Sequence, residues 1–321
     1  MNPAMMSSDC PPLSADMLLQ VLHSAQDHTM EVRQPAEKVL EKWGALPEFP
    51  ASLYAVMMNE GGGENERFLA AVCLKNCLSR WWSRRLDVGA DAVMKTQFRS
   101  MIISQLDIHH KQIAKQIAVI IAKMARTDWP DHWPDLFPTL LMALEHGGAL
   151  ARSRSLLFLH QVIKELSAKV VGPVRKHLAQ VSPEIFSILF RLYKTSHPIA
   201  DHNAEAAFVE LYITKISRRL LCYGFPRLDL SEEITSYLEF SLQSLQARTF
   251  LTFNEDNEAH QHVSKTSVKT AILINELHHA LPLSFSKFLP AFLSQALQTL
   301  EHYAQAVVTN PSHSFQVHQE E

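Results

Sequence analysis

Few residue groupings in this chain have the types and spacing that chemistry needs. Cys73 and Cys77 stand one helical turn apart and could present two thiolates to one metal ion. Zinc takes four ligands, however, and no further Cys or His flanks the pair at ligand spacing, so both read as small buried core residues. His109-His110 and His278-His279 are adjacent pairs whose side chains would diverge on a helix, and no metal is assigned to them. Ser284-Phe285-Ser286-Lys287 matches the S-x-x-K pattern of a serine nucleophile with a lysine base, but the partner motifs of such enzymes are missing. There is no P-loop, G-x-G-x-x-G, H-E-x-x-H or G-x-S-x-G. The expectation is a non-enzymatic chain without cofactor or metal.

The most specific local feature is structural. Trp-Pro occurs twice, at Trp129-Pro130 and Trp133-Pro134, ahead of an apolar helix carrying Leu136, Phe137, Leu140, Leu141 and Leu144. Proline disfavours helix in the residue before it, so both tryptophans should be extended or in a turn. If Asp135 caps the next helix, Pro138 falls in its first turn, where a missing N–H does least harm. The motif reads as a rigid elbow with its indoles packed against neighbouring helices.

The elements around that elbow are helices. Ile113, Ile117, Ile120, Ile121 and Met124 fall on one face, with Ala114, Ala118, Ala122 and Ala125 on the adjacent stripe. Similar helices run through Leu69–Leu74, Phe158–Leu166 and Val209–Leu220. Breaks at residues 44–50, 61–63, 87–89, 128–134, 147–148, 172–173, 197–198, 224–226 and 281–282 separate segments of helix length. Leu74, Ile117 and Leu159 occupy equivalent mid-helix places 43 and 42 residues apart, within the period of HEAT or armadillo repeats. Later spacings lengthen, and the excess is expected in polar connectors near residues 168–183 and 248–262. The pattern predicts an all-α, right-handed α-solenoid of about seven HEAT/ARM-like helix pairs over residues 14–308, with disordered ends at 1–13 and 309–321.

Composition agrees with this. Of 321 residues, 47% are hydrophobic and 20% charged, which excludes bulk disorder. Glycine is scarce, 9 residues or roughly 3% against a background of about 7%, as suits helices with short links rather than tight β-turns. Lys+Arg of 30 against Asp+Glu of 33 offers no basic field for a nucleic-acid backbone. Four scattered cysteines make no disulfide framework, residues 1–13 lack a secretory pattern, and the most apolar stretch, 113–124, is too short to span a bilayer. Cytosol or nucleus is the expected location.

Three stretches together resemble the importin-β, or karyopherin-β, transport receptors. KQIAKQIAVIIAKMARTDWPDHWPDLFPTLL resembles the third B helix and fourth A helix of that family's N-terminal HEAT array. RQPAEKVLEKW, with Arg33, Ala36, Glu37, Leu40 and Trp43, is similar to the first B helix, and RFLAAVCLKNCLSRWW, with Leu74-Lys75-Asn76, to the second. The resemblance covers about residues 14–171 and is architectural thereafter. Family members run several hundred residues longer and are commonly more acidic.

The resemblance implies a Ran-binding N-terminal domain at about 14–106 followed by further HEAT repeats. It implies that inner B helices grip the GTPase Ran in its GTP form. The positions that match are Arg33 and Glu37 on the first B helix, Lys75 and Asn76 on the second, and Gln112, Lys115 and Gln116 on the third. It further implies a monomer that shuttles between cytoplasm and nucleus with protein cargo, passing the pore on phenylalanine-glycine nucleoporins, with no nucleic acid and no membrane insertion. Read without the family, Arg33 and Glu37 form an i, i+4 ion pair, Lys75 is solvated and Asn76 bonds a neighbouring turn. A HEAT scaffold without transport activity is the alternative.

Overall fold

The computed structural model of the chain describes residues 10–82, 92–168, 173–225, 231–248, 256–280 and 285–309. Among the described residues there are thirteen α-helices and no strand. The chain divides into two compact units, Met1–Val174 and Arg175–Glu321.

The first unit holds α1 (Ala15–Ser24), α2 (Met30–Trp43), α3 (Phe49–Met58), α4 (Glu64–Trp81), α5 (Ala92–Ile103), α6 (Lys111–Asp128), α7 (Leu136–His146) and α8 (Ala149–Ser167). Consecutive helices pair, α1 with α2, α3 with α4, α5 with α6 and α7 with α8. The second member of each later pair also stacks on the next, α4 on α6 and α6 on α8. These stacked helices are parallel: His110 at the start of α6 touches Glu64 at the start of α4, at 2.6 Å, and Asp128 at the end of α6 bonds Trp82 just past α4, at 3.1 Å. Repeating pairs whose second helices stack in parallel are the all-α solenoid that the period predicts. The isoleucine face of α6 is buried throughout, and its alanine stripe lets α4 and α8 approach closely.

The second unit holds α9 (Pro173–Ala200), α10 (Ala204–Arg219), α11 (Glu232–Arg248), α12 (Glu258–Ala280) and α13 (Leu289–Thr309). Helix α10 runs on into a wider π-type turn over Leu220–Gly224. Helices α10 and α12 stack, and α11 packs on α12. Phe190 on Tyr237 and Tyr193 on Phe240 meet edge-to-face at 5.4 and 5.0 Å between centroids, and Tyr193 meets Tyr237 at a tilt at 5.8 Å, which locks α9 to α11.

Several boundaries differ from expectation. Pro183 and the His197-Pro198 break lie inside α9, and the extra residues of the longer repeats go into helix: α9 has 28 residues and α12 has 23. Both prolines are exposed, so the missing N–H groups and the ring bulk meet solvent rather than core. The Ser182 hydroxyl, beside Pro183, donates to Leu178 O, one turn before Ser182, at 2.6 Å. His110 is not inside a helix but caps α6, its Nδ1 accepting from the Ile113 amide at 3.1 Å. The His278 and His279 rings meet edge-to-face, 5.6 Å between centroids, instead of diverging. Residues 1–9, the 87–89, 226 and 281–282 breaks, Ser284 and the tail from 310 lie outside the described residues.

The link between α7 and α8 yields a contrast. A Cβ on Gly147 would overlap the Ala143 carbonyl oxygen, which accepts the Gly147 amide, whereas nothing lies within 4 Å of a Cβ on Gly148. Gly147→Ala is expected to cost about 1–3 kcal/mol and Gly148→Ala to stay within about 0.5 kcal/mol, read from urea midpoints.

Candidate functional site

The seven expected partner-binding residues lie on α2, α4 and α6, the second helices of the first three pairs. Helix α2 carries Arg33 and Glu37 one turn apart, and they pair with each other at 3.6 Å. Glu37 is exposed and Arg33 half-buried, so the pair is solvent-screened and contributes at most about 1 kcal/mol. On α4 Asn76 is exposed and Lys75 half-buried; on α6 Gln112 and Lys115 are exposed. Gln116 is half-buried, and its enclosed Oε1 has no hydrogen-bond partner among the described residues.

Stacking of α4 on α6 brings two of these sets to one side-by-side helix pair, but not to the same level. The Lys123 Nζ donates to the Lys75 carbonyl at 3.4 Å, reaching back from just beyond the level of Lys75. The contacts at the two ends of α4 and α6 set Lys75 level with Ile121, so Lys115 lies six residues earlier, about 9 Å along the axis at about 1.5 Å per residue. The cations nearest Lys75 across the groove are therefore Lys123 and, beyond it, Arg126, which pairs with Glu165 of α8 at 2.5 Å. Sequence reasoning passed over both. Their signal was there: Lys115, Lys123 and Arg126 continue the polar stripe opposite the isoleucine face.

Beneath this surface the Trp-Pro elbow holds the ends of the helices. Trp129 and Trp133 are 5% and 2% exposed, and Trp129 meets Phe137 edge-to-face at 5.0 Å. Trp129 is extended, Asp135 precedes α7 without a side-chain capping bond, and Pro138 occupies the first turn of α7. Asp128, just before the elbow, is buried, and its Oδ2 accepts from Trp82 Nε1 at 3.1 Å and from Arg99 Nη1 at 2.5 Å. This carboxylate joins α4, α5 and α6. It was legible in principle, because Asp128 stands four residues after Met124 on the buried face.

The cysteines are chemically quiet. Cys73 and Cys77 are half-buried rather than fully enclosed, and burial pushes their thiols up to about 11 and about 12. Thiols held that high are neutral and unreactive near pH 7. Among the described residues no group of three or more His, Cys, Asp or Glu is placed to hold a metal ion, and no helix is long and apolar enough to cross a membrane.

The second unit has a buried charge cluster that sequence reasoning did not anticipate. Arg248 of α11 donates from Nη1 and Nη2 to the two carboxylate oxygens of Glu210 on α10, at 2.7 and 2.9 Å, and from Nε to Asp201 at 2.8 Å. His197 of α9 approaches Glu210 at 3.1 Å. Burial opposes ionisation of Glu210, but the hydrogen bonds from His197 and Arg248 prevail and hold it below the usual carboxylate range.

The importin-β N-terminal domain family matches residues 36–107, and the exportin 1-like protein family matches residues 110–198. Human importin-11 is 28% identical over 286 residues, which is 85% of this chain and 29% of that protein. The importin beta-like protein KAP120 of Saccharomyces cerevisiae is 23% identical over 258 residues, 75% of this chain and 24% of that protein. The chain thus spans under a third of the length of these relatives. In fold it is similar to Lph2, a bidirectional nuclear transport receptor of S. cerevisiae, with TM-score 0.71 and 20% identity over 87% of this chain and 28% of that one. It is also similar to the exportin Cse1 in its cargo-free state, with TM-score 0.65 and 15% identity over 87% of this chain and 31% of that one. Two adjoining family matches across 36–198, relatives over most of the chain and a shared all-α solenoid agree: the chain is similar to the importin-β family of nuclear transport receptors over part of their length.

Proposed function

We propose that this chain supplies the Ran–GTP-binding portion of an importin-β-type receptor that carries protein cargo into the nucleus. The observation that supports it is the alignment of family and surface: within the two matched segments, stacked α4 and α6 present Asn76, Gln112 and Lys115 to solvent and Lys75 at half exposure. The domain at about 14–106 and the repeats after it contribute one continuous series of second helices to that grip. In the GTP state the γ-phosphate and Mg²⁺ order Ran's switch loops, which gives the receptor nucleotide-selective contacts. Ran–GTP and cargo are then oppositely coupled, so cargo loads in the cytoplasm and leaves in the nucleus. Passage rests on phenylalanine-glycine nucleoporins, and the receptor acts as a shuttling monomer without catalysis.

Charge reversal tests the residues. Lys75→Glu with Lys115→Glu should weaken Ran–GTP binding by about 1–3 kcal/mol, since two separated points of one footprint turn repulsive. Neither ammonium lies in the core, so the circular dichroism spectrum and urea midpoint should stay near wild type. Undiminished Ran affinity in the folded double variant would remove these residues from the interface.

A further inference from the structure

The solvent side of α10 and α12 carries a row of aromatic rings and cations that the Ran reading does not use. Along α10, Phe208, Tyr212, Lys215 and Arg219 follow one another at helical spacing, and Tyr223 in the π-type turn extends the row. Phe208 stacks on Tyr212 with centroids 4.4 Å apart, Lys215 sits 4.6 Å over the Tyr212 ring, and Arg219 lies 5.7 Å from the Tyr223 ring. Tyr223 is 40% exposed.

Two contacts set the register of α12 beside it. Phe208 meets His262, at 5.7 Å between centroids, and Cys222 meets Glu276, at 3.2 Å from Sγ to Oε2. Both partners are 54 residues apart, so the helices run parallel and Lys215 is level with Lys269. Lys265 is exposed one turn before Lys269. The acids on this side are Glu205 and Glu258 in the first turns and Glu276, which Arg218 engages at 2.9 Å. Among the described residues no carboxylate forms an ion pair with Arg219, Lys265 or Lys269. The middle of the strip is therefore positive and its two ends are aromatic.

We infer that the α10–α12 strip is a docking site for an extended acidic protein segment with an apolar or aromatic side chain at each end. Four cations on two helices favour carboxylates, and half-exposed rings at both ends favour apolar side chains on a segment that also passes the charges. The length fits: Phe208 to Tyr223 spans about 22 Å of helix, which about seven extended residues cover. This site lies on other helices than the proposed Ran face and does not depend on that reading.

The test is fluorescence anisotropy of the full chain with a labelled peptide of five acidic residues flanked by two phenylalanines. Micromolar binding that falls steeply with salt is expected, and Arg219→Glu with Lys269→Glu should weaken it at least tenfold. Phe208→Ala should weaken it severalfold with the salt dependence kept, while Lys38→Glu in the first unit should leave it unchanged. An equally tight glutamine-for-glutamate peptide, unaltered affinity in the charge-reversed variant, or no binding up to millimolar peptide would overturn the site. So would tighter binding of a single-stranded oligonucleotide of equal charge, which would make the strip a general polyanion surface. Circular dichroism of each variant separates lost docking from lost folding, because all the substituted charges are outside the core.

Discussion

Arg248→Met should destabilise the second unit by about 3–5 kcal/mol, because it removes one partner of a buried ion pair. The methionine keeps most of the stem's volume but leaves the Glu210 carboxylate, whose side chain is fully enclosed, with only the His197 ring nitrogen still within hydrogen-bond reach. A buried carboxylate stripped of a two-pronged guanidinium bears its desolvation uncompensated. Replacing both charges together, Glu210→Met with Arg248→Met, should restore much of the loss, because Asp201 is about one third exposed and can hydrate. The measurement is urea unfolding followed by far-ultraviolet circular dichroism. The wild-type cluster also fixes a pH dependence. Since Glu210 titrates in the folded chain below its unfolded value, its contribution is complete above the ordinary carboxylate range and is lost as pH falls through the lowered pKa. In Arg248→Met that acid-side loss should begin at higher pH.

Asp128→Ala should cost the first unit a similar amount, about 3–5 kcal/mol. It strands the Arg99 guanidinium, whose side chain is 10% exposed, and leaves the Trp82 indole N–H without its acceptor. Arg99 keeps a bond to Thr96 Oγ1 at 2.8 Å, which does not neutralise it. Asp128→Asn should fall between, since an amide oxygen still accepts from Trp82 while the charge is gone. All five tryptophans, Trp43, Trp81, Trp82, Trp129 and Trp133, belong to the first unit, so the urea midpoint from tryptophan fluorescence reads this unit directly.

These two clusters show where sequence reading reached and where it stopped. Local rules placed the helices well where one apolar face was enough. The α6 isoleucines, the extended Trp129, Pro138 in the first turn of α7 and the glycine link at 147–148 all follow from spacing and backbone chemistry. Proline misled at 183 and 198, because a ring on the exposed side of a long helix disturbs only a solvent-facing turn. The buried charges were harder. Asp128 and Glu210 sit on buried helix faces, but their partners Arg99 and Arg248 come from other helices 29 and 38 residues away, and no local pattern couples them. The polar stripes on α2, α4 and α6 that carry the expected partner residues were legible. Their relative level was not, because the placing of Lys75 beside Ile121 rather than Lys115 depends on how α4 slides against α6.

On the proposed function, this chain binds Ran in a nucleotide-dependent way through its stacked second helices. The most direct measurement is the affinity of the immobilised chain for Ran loaded with a non-hydrolysable GTP analogue, set beside its affinity for Ran–GDP at the same salt. A preference of at least about tenfold for the GTP form, about 1.4 kcal/mol, is predicted. Equal affinity for the two forms, or no binding to either, would contradict it and favour a HEAT scaffold without transport activity.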